Sequence, residues 1–144
     1  MEKDTAHMPD AGRMRACAQA FAERLRRGSR LPLDYSVASL RVADGIVQGL
    51  QRGGAEGKRL ESALFGIGAY VGEVLVRRAG AVWVDLDARE REMFGQVVGV
   101  RMPDGRVWNP LGRVVNRYTG GPEESLHLYY LTLHGRARPT TPAT

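Results

Sequence analysis

Cysteine and histidine are scarce in this chain, and their scarcity argues against several kinds of site. The single cysteine, Cys17, has no partner for an intramolecular disulfide, which is typical of proteins from a reducing cytoplasm. The sequence contains no paired-cysteine zinc pattern. His127 follows Glu124 at the Glu-x-x-His spacing of di-iron bundles, but those bundles need the motif twice. We therefore predict neither a metal nor a cofactor.

Long apolar segments are also missing. The longest is interrupted by glycines and by Glu73, whereas a transmembrane helix needs about 20 apolar residues. The first seven residues lack the apolar core of a signal peptide, so we expect no export by that route. With 144 residues, 43% of them hydrophobic, the chain is expected to form one soluble cytoplasmic domain without membrane contact.

The common signatures of nucleotide binding and nucleophilic catalysis do not occur. The glycines around Gly53 and Gly57 lack the spacing of a phosphate-binding loop, and they follow a helix where that loop would follow a strand. Gly66 and Gly68 lie inside a predicted helix, so they are not a dinucleotide fingerprint. No serine stands in a nucleophile elbow. We predict no catalytic residue.

The formal charge of +5 is concentrated at the two ends of the chain. Residues 1–30 contain seven basic and four acidic residues, and the last nine residues contain two arginines and no acid. The remaining body, residues 31–135, contains 12 residues of each sign and is neutral. Any attraction to a polyanion is therefore expected from the ends.

Apolar residues recur at helical spacing over three segments in the first half of the chain. The predicted helices run over 14–27, from Asp34 or Ser36 to 51, and from about 55–58 to Gly80. Strands are predicted at 82–87, 94–102 and 106–109, with a charged link at 87–92 and a Pro-Asp-Gly turn at 103–105. Two further helices are predicted at 111–118 and from Pro122 to Gly135.

This order, ααα-βββ-αα, predicts an α+β fold in which a small antiparallel three-stranded sheet is covered on one face by helices. Residues 11–135 form the single predicted domain. Residues 1–10 are predicted to be flexible and residues 136–144 to be disordered, because both segments lack apolar periodicity.

The segment from Phe65 to Glu73 reads as helix and yet contains three glycines. A glycine in a helix interior costs about 1 kcal/mol relative to alanine, so something must offset that cost. Gly68 and Gly72 lie one turn apart within the apolar stripe of the helix. We predict that another element packs closely against this glycine step, either within the monomer or across a dimer.

Five residues are candidates for binding a ligand or a partner: Tyr70, Glu73, Trp83, Asp85 and Trp108. A buried acid beside aromatic rings can act in proton transfer, but Glu73 also stands four residues before Arg77, the spacing of a helical ion pair. Asp85 and Asp87 share one strand face, which suits a metal or an amine as well as solvent. The two tryptophans are suitable anchors for a protein partner at a free sheet face or edge.

Arginines follow one face of the first helix and continue just beyond it. They are Arg13, Arg24, Arg26, Arg27 and Arg30. Such a face suits phosphate contacts and salt-sensitive binding to nucleic acid. No aromatic residues alternate with these arginines to read bases, and no helix-turn-helix signature is present.

Between residues 34 and 133 the chain resembles small bacterial domains of unknown function. The resemblance rests on the Gly-Ala-Tyr-Val-Gly-Glu run at 68–73, on Trp83, on the strands around the 103–105 turn and on the Glu124-Ser125-Leu126 helix. It implies a bacterial origin and the element order given above. It implies no reaction and no catalytic residue.

The sequence as a whole predicts a non-catalytic protein-interaction module, such as an adaptor, a chaperone-like protein or an immunity-type partner. The partner is predicted to be a protein, with a second copy of this chain included. Two alternatives stay open at this stage. One is a nucleic-acid-associated protein that uses the arginine-rich helix, and the other is an enzyme or ligand-binding domain with a site near Tyr70, Glu73, Trp83 and Asp85.

Overall fold

The structure, a computed structural model, describes the backbone of residues 9–137 and the side chains of residues 9–133. Most of the predicted flexible N-terminus and most of the predicted disordered tail lie outside the described residues. The elements, in chain order, are α1 (Ala11–Gly28), α2 (Ser39–Gly53), α3 (Gly57–Ala79), β1 (Val82–Asp85), α4 (Ala88–Phe94), β2 (Val98–Arg101), β3 (Val107–Trp108), α5 (Pro110–Gly120), a 3₁₀ turn (Pro122–Glu124) and α6 (Leu126–Ala137).

The three helices that apolar periodicity predicted in the first half of the chain are confirmed. Asp10 caps α1 by accepting a hydrogen bond from the backbone N–H of Arg13, so this residue is ordered although it falls in the predicted flexible segment. Ser36 accepts from the N–H of Ser39 at the start of α2. Gly80 ends α3 with a φ of 76°, a left-handed conformation that glycine adopts without steric cost.

The sheet is an antiparallel meander in the order β1-β2-β3. Val84 pairs with Gly99 between the first two strands, and Val100 pairs with Trp108 between the last two. Asp104 accepts from the N–H of Arg106 and closes the turn that joins β2 to β3. Together with the helices that pack against the sheet, this confirms the predicted α+β fold.

The predicted charged link at 87–92 is wrong, because these residues begin the short helix α4. The Asp87 carboxylate accepts from the N–H of Glu90, and the Glu90 carboxylate accepts from the N–H of Asp87. This reciprocal pair is a capping box, a signature that is visible in the sequence as Asp-x-x-Glu. Because α4 extends to Phe94, β2 begins only at Val98, four residues later than predicted.

The last helix also begins later than predicted. Pro122–Glu124 forms a separate 3₁₀ turn, and Ser125 has an extended ψ of 135° that breaks the helical path. Helix α6 then starts at Leu126. Its buried residues Leu126, Tyr129, Tyr130 and Leu133 are those that the periodicity placed inside.

Helix α3 is the central element of the fold, and every residue from 66 to 75 is buried. A Cβ atom added at Gly66, Gly68 or Gly72 would overlap the side chains of Phe21, Leu111 and Trp83, respectively. Elements α1, α5 and β1 therefore each approach α3 at a glycine. The predicted close packing is confirmed, and it occurs within the monomer.

Replacement of Gly72 by alanine tests this packing. The new methyl group would overlap the Trp83 ring, whose Nε1 is held by Glu73, so the ring cannot move freely. We expect Gly72→Ala to lower the free energy of unfolding by about 1–3 kcal/mol, the usual cost of overpacking a core. Denaturant-induced unfolding followed by circular dichroism measures the change.

Gly49→Ala is the matched control, because Gly49 lies inside α2 with open space around its missing Cβ. There the same substitution should raise the free energy of unfolding by up to about 1 kcal/mol through helix propensity alone. If both variants were stabilised alike, the glycine step would not be a packing requirement.

Candidate functional site

Glu73 is a buried carboxylate with three nitrogen neighbours. Its side chain is 1% exposed. Oε2 lies 3.1 Å from Nε of Arg77 and 3.7 Å from Nε of Arg15, and Oε1 accepts a hydrogen bond of 3.2 Å from Nε1 of Trp83. The helical pair with Arg77 is confirmed. Arg15 was not predicted, because its position on α1 becomes relevant only when α1 packs against α3.

Tyr70 is fully buried one turn before Glu73 and holds the segment that joins α1 to α2. Its hydroxyl oxygen accepts from the N–H of Tyr35 at 2.8 Å and lies 2.6 Å from Oγ of Ser39. Burial raises the pKa of Tyr70, although its hydrogen bond with Ser39 opposes the rise. The phenol therefore stays protonated at neutral pH, and its hydrogen bonds hold the segment that joins α1 to α2.

Tyr35 is the residue of this cluster that sequence reasoning missed. It has a φ of 65°, which is rare for an aromatic residue. The Tyr35 ring stacks on the Tyr70 ring, with 4.9 Å between the two centroids. The Arg77 guanidinium also lies over the Tyr35 ring, 3.7 Å from its centroid. Arg78 donates from Nε to the Tyr35 carbonyl oxygen at 2.9 Å. These contacts together fix a backbone conformation that no local sequence pattern indicates.

An open basin of about 540 Å³ lies beside Tyr35. Its lining consists of Gln19, Glu23, Arg26, Asp34, Tyr35 and Arg77. Arg26 donates from Nη1 to the Leu33 carbonyl oxygen at 2.8 Å, so one arginine of α1 and one of α3 are both held at this basin. Hereafter we call it the arginine basin.

The other predicted binding residues lie in different surroundings. The Asp85 carboxylate accepts from the N–H of Ala11 at 2.8 Å and so helps to begin α1. Trp108 is half-buried at a separate groove that is also lined by Met93, Arg113 and Tyr129. The structure therefore brings Glu73 and Trp83 together and places Tyr70 nearby, but it gives Asp85 and Trp108 other partners. Trp83 packs toward α3 and not on a free sheet face.

Most of the predicted nucleic-acid-binding arginines make contacts within the chain. Arg13 lies 3.5 Å from the Asp10 carboxylate, and Arg27 lies 3.1 Å from Glu23. Arg26 is bound to Leu33 as described above, and Arg24 lies 6.0 Å from the Phe21 ring centroid. Arg30 is exposed at the end of the series, with a φ of 56°.

Neither a metal site nor a membrane span is evident in the part of the chain that the structure describes. Among residues 9–133, no three His, Cys, Asp or Glu side chains are grouped so that they could hold a metal ion. The thiol of Cys17 is half-buried, and this burial raises its pKa. No described helix has the length and apolar character needed to cross a bilayer.

Helix α6 exposes leucines on its outer face. Leu128 is 53% exposed and Leu131 is 48% exposed, and the residue beside them, Thr132, is exposed and uncharged. An ordinary surface helix places charged or polar residues opposite its buried face. We call Leu128 and Leu131 the outer leucine pair.

Asp44, on α2, anchors the start of α6. Its Oδ1 accepts from the N–H of Leu126 at 2.7 Å and from Nε of Arg117 at 3.1 Å. Its Oδ2 accepts from Oγ of Ser125 at 3.0 Å and from the N–H of His127 at 3.2 Å. One carboxylate thus caps a helix that lies 82 residues away in the chain, which is why no local signal predicts it.

Removal of the Asp44 carboxylate tests this anchor. Asp44→Ala would leave the Arg117 guanidinium, whose side chain is 5% exposed, without its ion-pair partner. We expect the free energy of unfolding to fall by about 3–5 kcal/mol, the usual cost of breaking a buried pair. Asp44→Asn keeps one acceptor oxygen and should lose less. Thermal and denaturant unfolding measure both changes.

Glu23→Ala serves as the control, because it removes a carboxylate from the exposed pair with Arg27. That pair should contribute less than about 1 kcal/mol. If Asp44→Ala were no more destabilising than Glu23→Ala, α6 would be held by its apolar contacts alone.

Comparison with known proteins gives no family for this chain. No family model, no curated protein and no solved structure matches it. The argument for a function therefore rests on the surfaces and contacts described above.

Proposed function

We propose that this protein is a non-catalytic protein-interaction module of the bacterial cytoplasm, of the adaptor, chaperone-like or immunity type. The observation that carries the proposal is the outer leucine pair on α6. Two leucines one turn apart, each about half exposed, form an apolar strip on a helix whose opposite face is already buried in the core.

The cost of exposing this strip supports a binding role. Complete burial of an exposed leucine side chain contributes about 1.5–3 kcal/mol, and a partner that covers these half-exposed leucines gains about half of that from each. The network around Asp44 holds the helix in place, so little ordering is needed when the partner binds.

The two alternative functions receive less support from the geometry. The enzyme or ligand site was expected around Tyr70, Glu73, Trp83 and Asp85, but the polar atoms of these residues are bound to other parts of the fold. The nucleic-acid face was expected along α1, but Arg13 and Arg27 are paired with carboxylates. Each pairing reduces the positive charge available for phosphates.

The double variant Leu128→Gln/Leu131→Gln tests the proposal. Glutamine keeps the helix propensity of leucine and removes its apolar surface. Affinity capture from the native bacterial lysate, with nuclease present, should retain a stoichiometric protein on the wild type and about tenfold less on the variant. Light scattering over a concentration range shows whether the bound protein is a second copy of this chain.

The control variant Val82→Thr/Val115→Gln removes two other exposed apolar side chains, one on β1 and one on α5. It should retain the partner fully. If the leucine variant retains the partner as well as the control does, α6 is not the interface. If a partner is captured only when the nuclease is left out, the arginine-rich helix replaces α6 as the binding element.

A further inference from the structure

The arginine basin contains two guanidinium groups that are fixed before any ligand binds. Arg77 is held from one side by the Glu73 carboxylate through Nε and from another by the Tyr35 ring. Arg26 is held through Nη1 by the Leu33 carbonyl oxygen. Free arginine side chains are flexible, and the entropy lost on fixing them usually weakens binding. Here the fold has already fixed both.

These contacts leave much of each guanidinium available. A guanidinium group carries five N–H donors in a planar fork, and the contacts above engage Nε of Arg77 and Nη1 of Arg26. Arg26 is exposed, and the Arg77 side chain is 32% exposed. Both residues line the same basin, which gives them a common space for a ligand.

The lining of the basin is electrically balanced, with Arg26 and Arg77 against Glu23 and Asp34, and the surplus of positive charge comes from neighbouring arginines. Five arginines lie on or next to it, namely Arg15, Arg26, Arg27, Arg77 and Arg78, against the three carboxylates of Glu23, Asp34 and Glu73. Glu23 is paired with Arg27 and Glu73 is shared by Arg77 and Arg15, whereas Asp34 accepts from the N–H of Ser36 and keeps its negative charge. No carboxylate among the described residues forms a salt bridge with Arg26.

We propose that the arginine basin binds a small oxyanion, the phosphate or carboxylate group of a small molecule, through the Arg26 and Arg77 guanidinium groups. The planar fork of arginine matches both oxyanions in bidentate geometry. Gln19 supplies an additional amide at the rim. Glu73 and Tyr35 are positioning residues, because they act only by holding Arg77.

Nuclear magnetic resonance of the arginine side chains tests the proposal on the full chain. Inorganic phosphate and succinate are titrated separately into ¹⁵N-labelled protein at constant ionic strength. The Nε–H signals of Arg26 and Arg77 should shift in a saturable way with at least one of the two anions. The anion that binds more tightly identifies the oxyanion that the basin prefers.

Two variants decide whether the effect is local. Arg26→Gln should weaken binding about tenfold or more, the loss expected for one charge-assisted hydrogen bond. Arg24→Gln is the matched control, because it removes the same charge from the same helix at a residue that does not line the basin. It should change the affinity by less than about twofold through long-range screening.

Arg77→Lys keeps the positive charge and loses the planar fork, so it should also weaken binding while the backbone spectrum stays folded. If Arg77→Lys disturbs the fold, the comparison of Arg26→Gln with Arg24→Gln is sufficient by itself. A response to both anions that does not saturate overturns the proposal. An equal loss of affinity in Arg26→Gln and Arg24→Gln also overturns it, since general charge would then explain the binding.

Discussion

The approach of three side chains to the glycines of α3 is the constraint on which the rest of the structure depends. Phe21, Leu111 and Trp83 each occupy the space that a Cβ atom would need on α3. Because these side chains come from α1, α5 and β1, the glycines determine how closely two helices and the sheet pack against α3. The propensity cost of three glycines in one helix is offset by the contacts that this approach allows.

Two buried polar networks then fix the orientation of what surrounds α3. Glu73 ties Trp83 of β1 and Arg15 of α1 to the central helix. Asp44 ties α5, through Arg117, and the start of α6 to α2. An ion pair of this kind adds little net stability compared with a well-packed apolar pair, but its loss leaves a charge buried without a partner. The networks therefore penalise wrong arrangements more than they stabilise the correct one.

The parts of the fold that the sequence predicts are those with local causes. Helices α1 to α3 follow from apolar spacing and from glycines such as Gly80 at their ends. Helix α4 had an equally local signal in the Asp87 and Glu90 capping box, which the high charge of the segment concealed. Asp44 could not be predicted, because its partners lie more than 70 residues away and become neighbours only after folding. The left-handed backbone of Tyr35 likewise depends on Tyr70, Arg77 and Arg78, and no local pattern encodes it.

The arginine basin and the outer leucine pair depend on different networks. The basin is held by Glu73, Tyr35 and Tyr70, whereas the leucine pair is carried by a helix that Asp44 anchors. Helix α2 contacts both networks, because Ser39 at its start bonds Tyr70 and Asp44, five residues later, bonds the start of α6. A ligand in the basin would stiffen the segment that joins α1 to α2. A partner on α6 would stiffen the contacts between α6 and Asp44 of α2. The two networks share no residue, and two routes join the surfaces. One is helix α2, and the other is α6 itself, whose Tyr130 hydroxyl lies 3.5 Å from the carbonyl oxygen of Arg78, the residue that holds Tyr35.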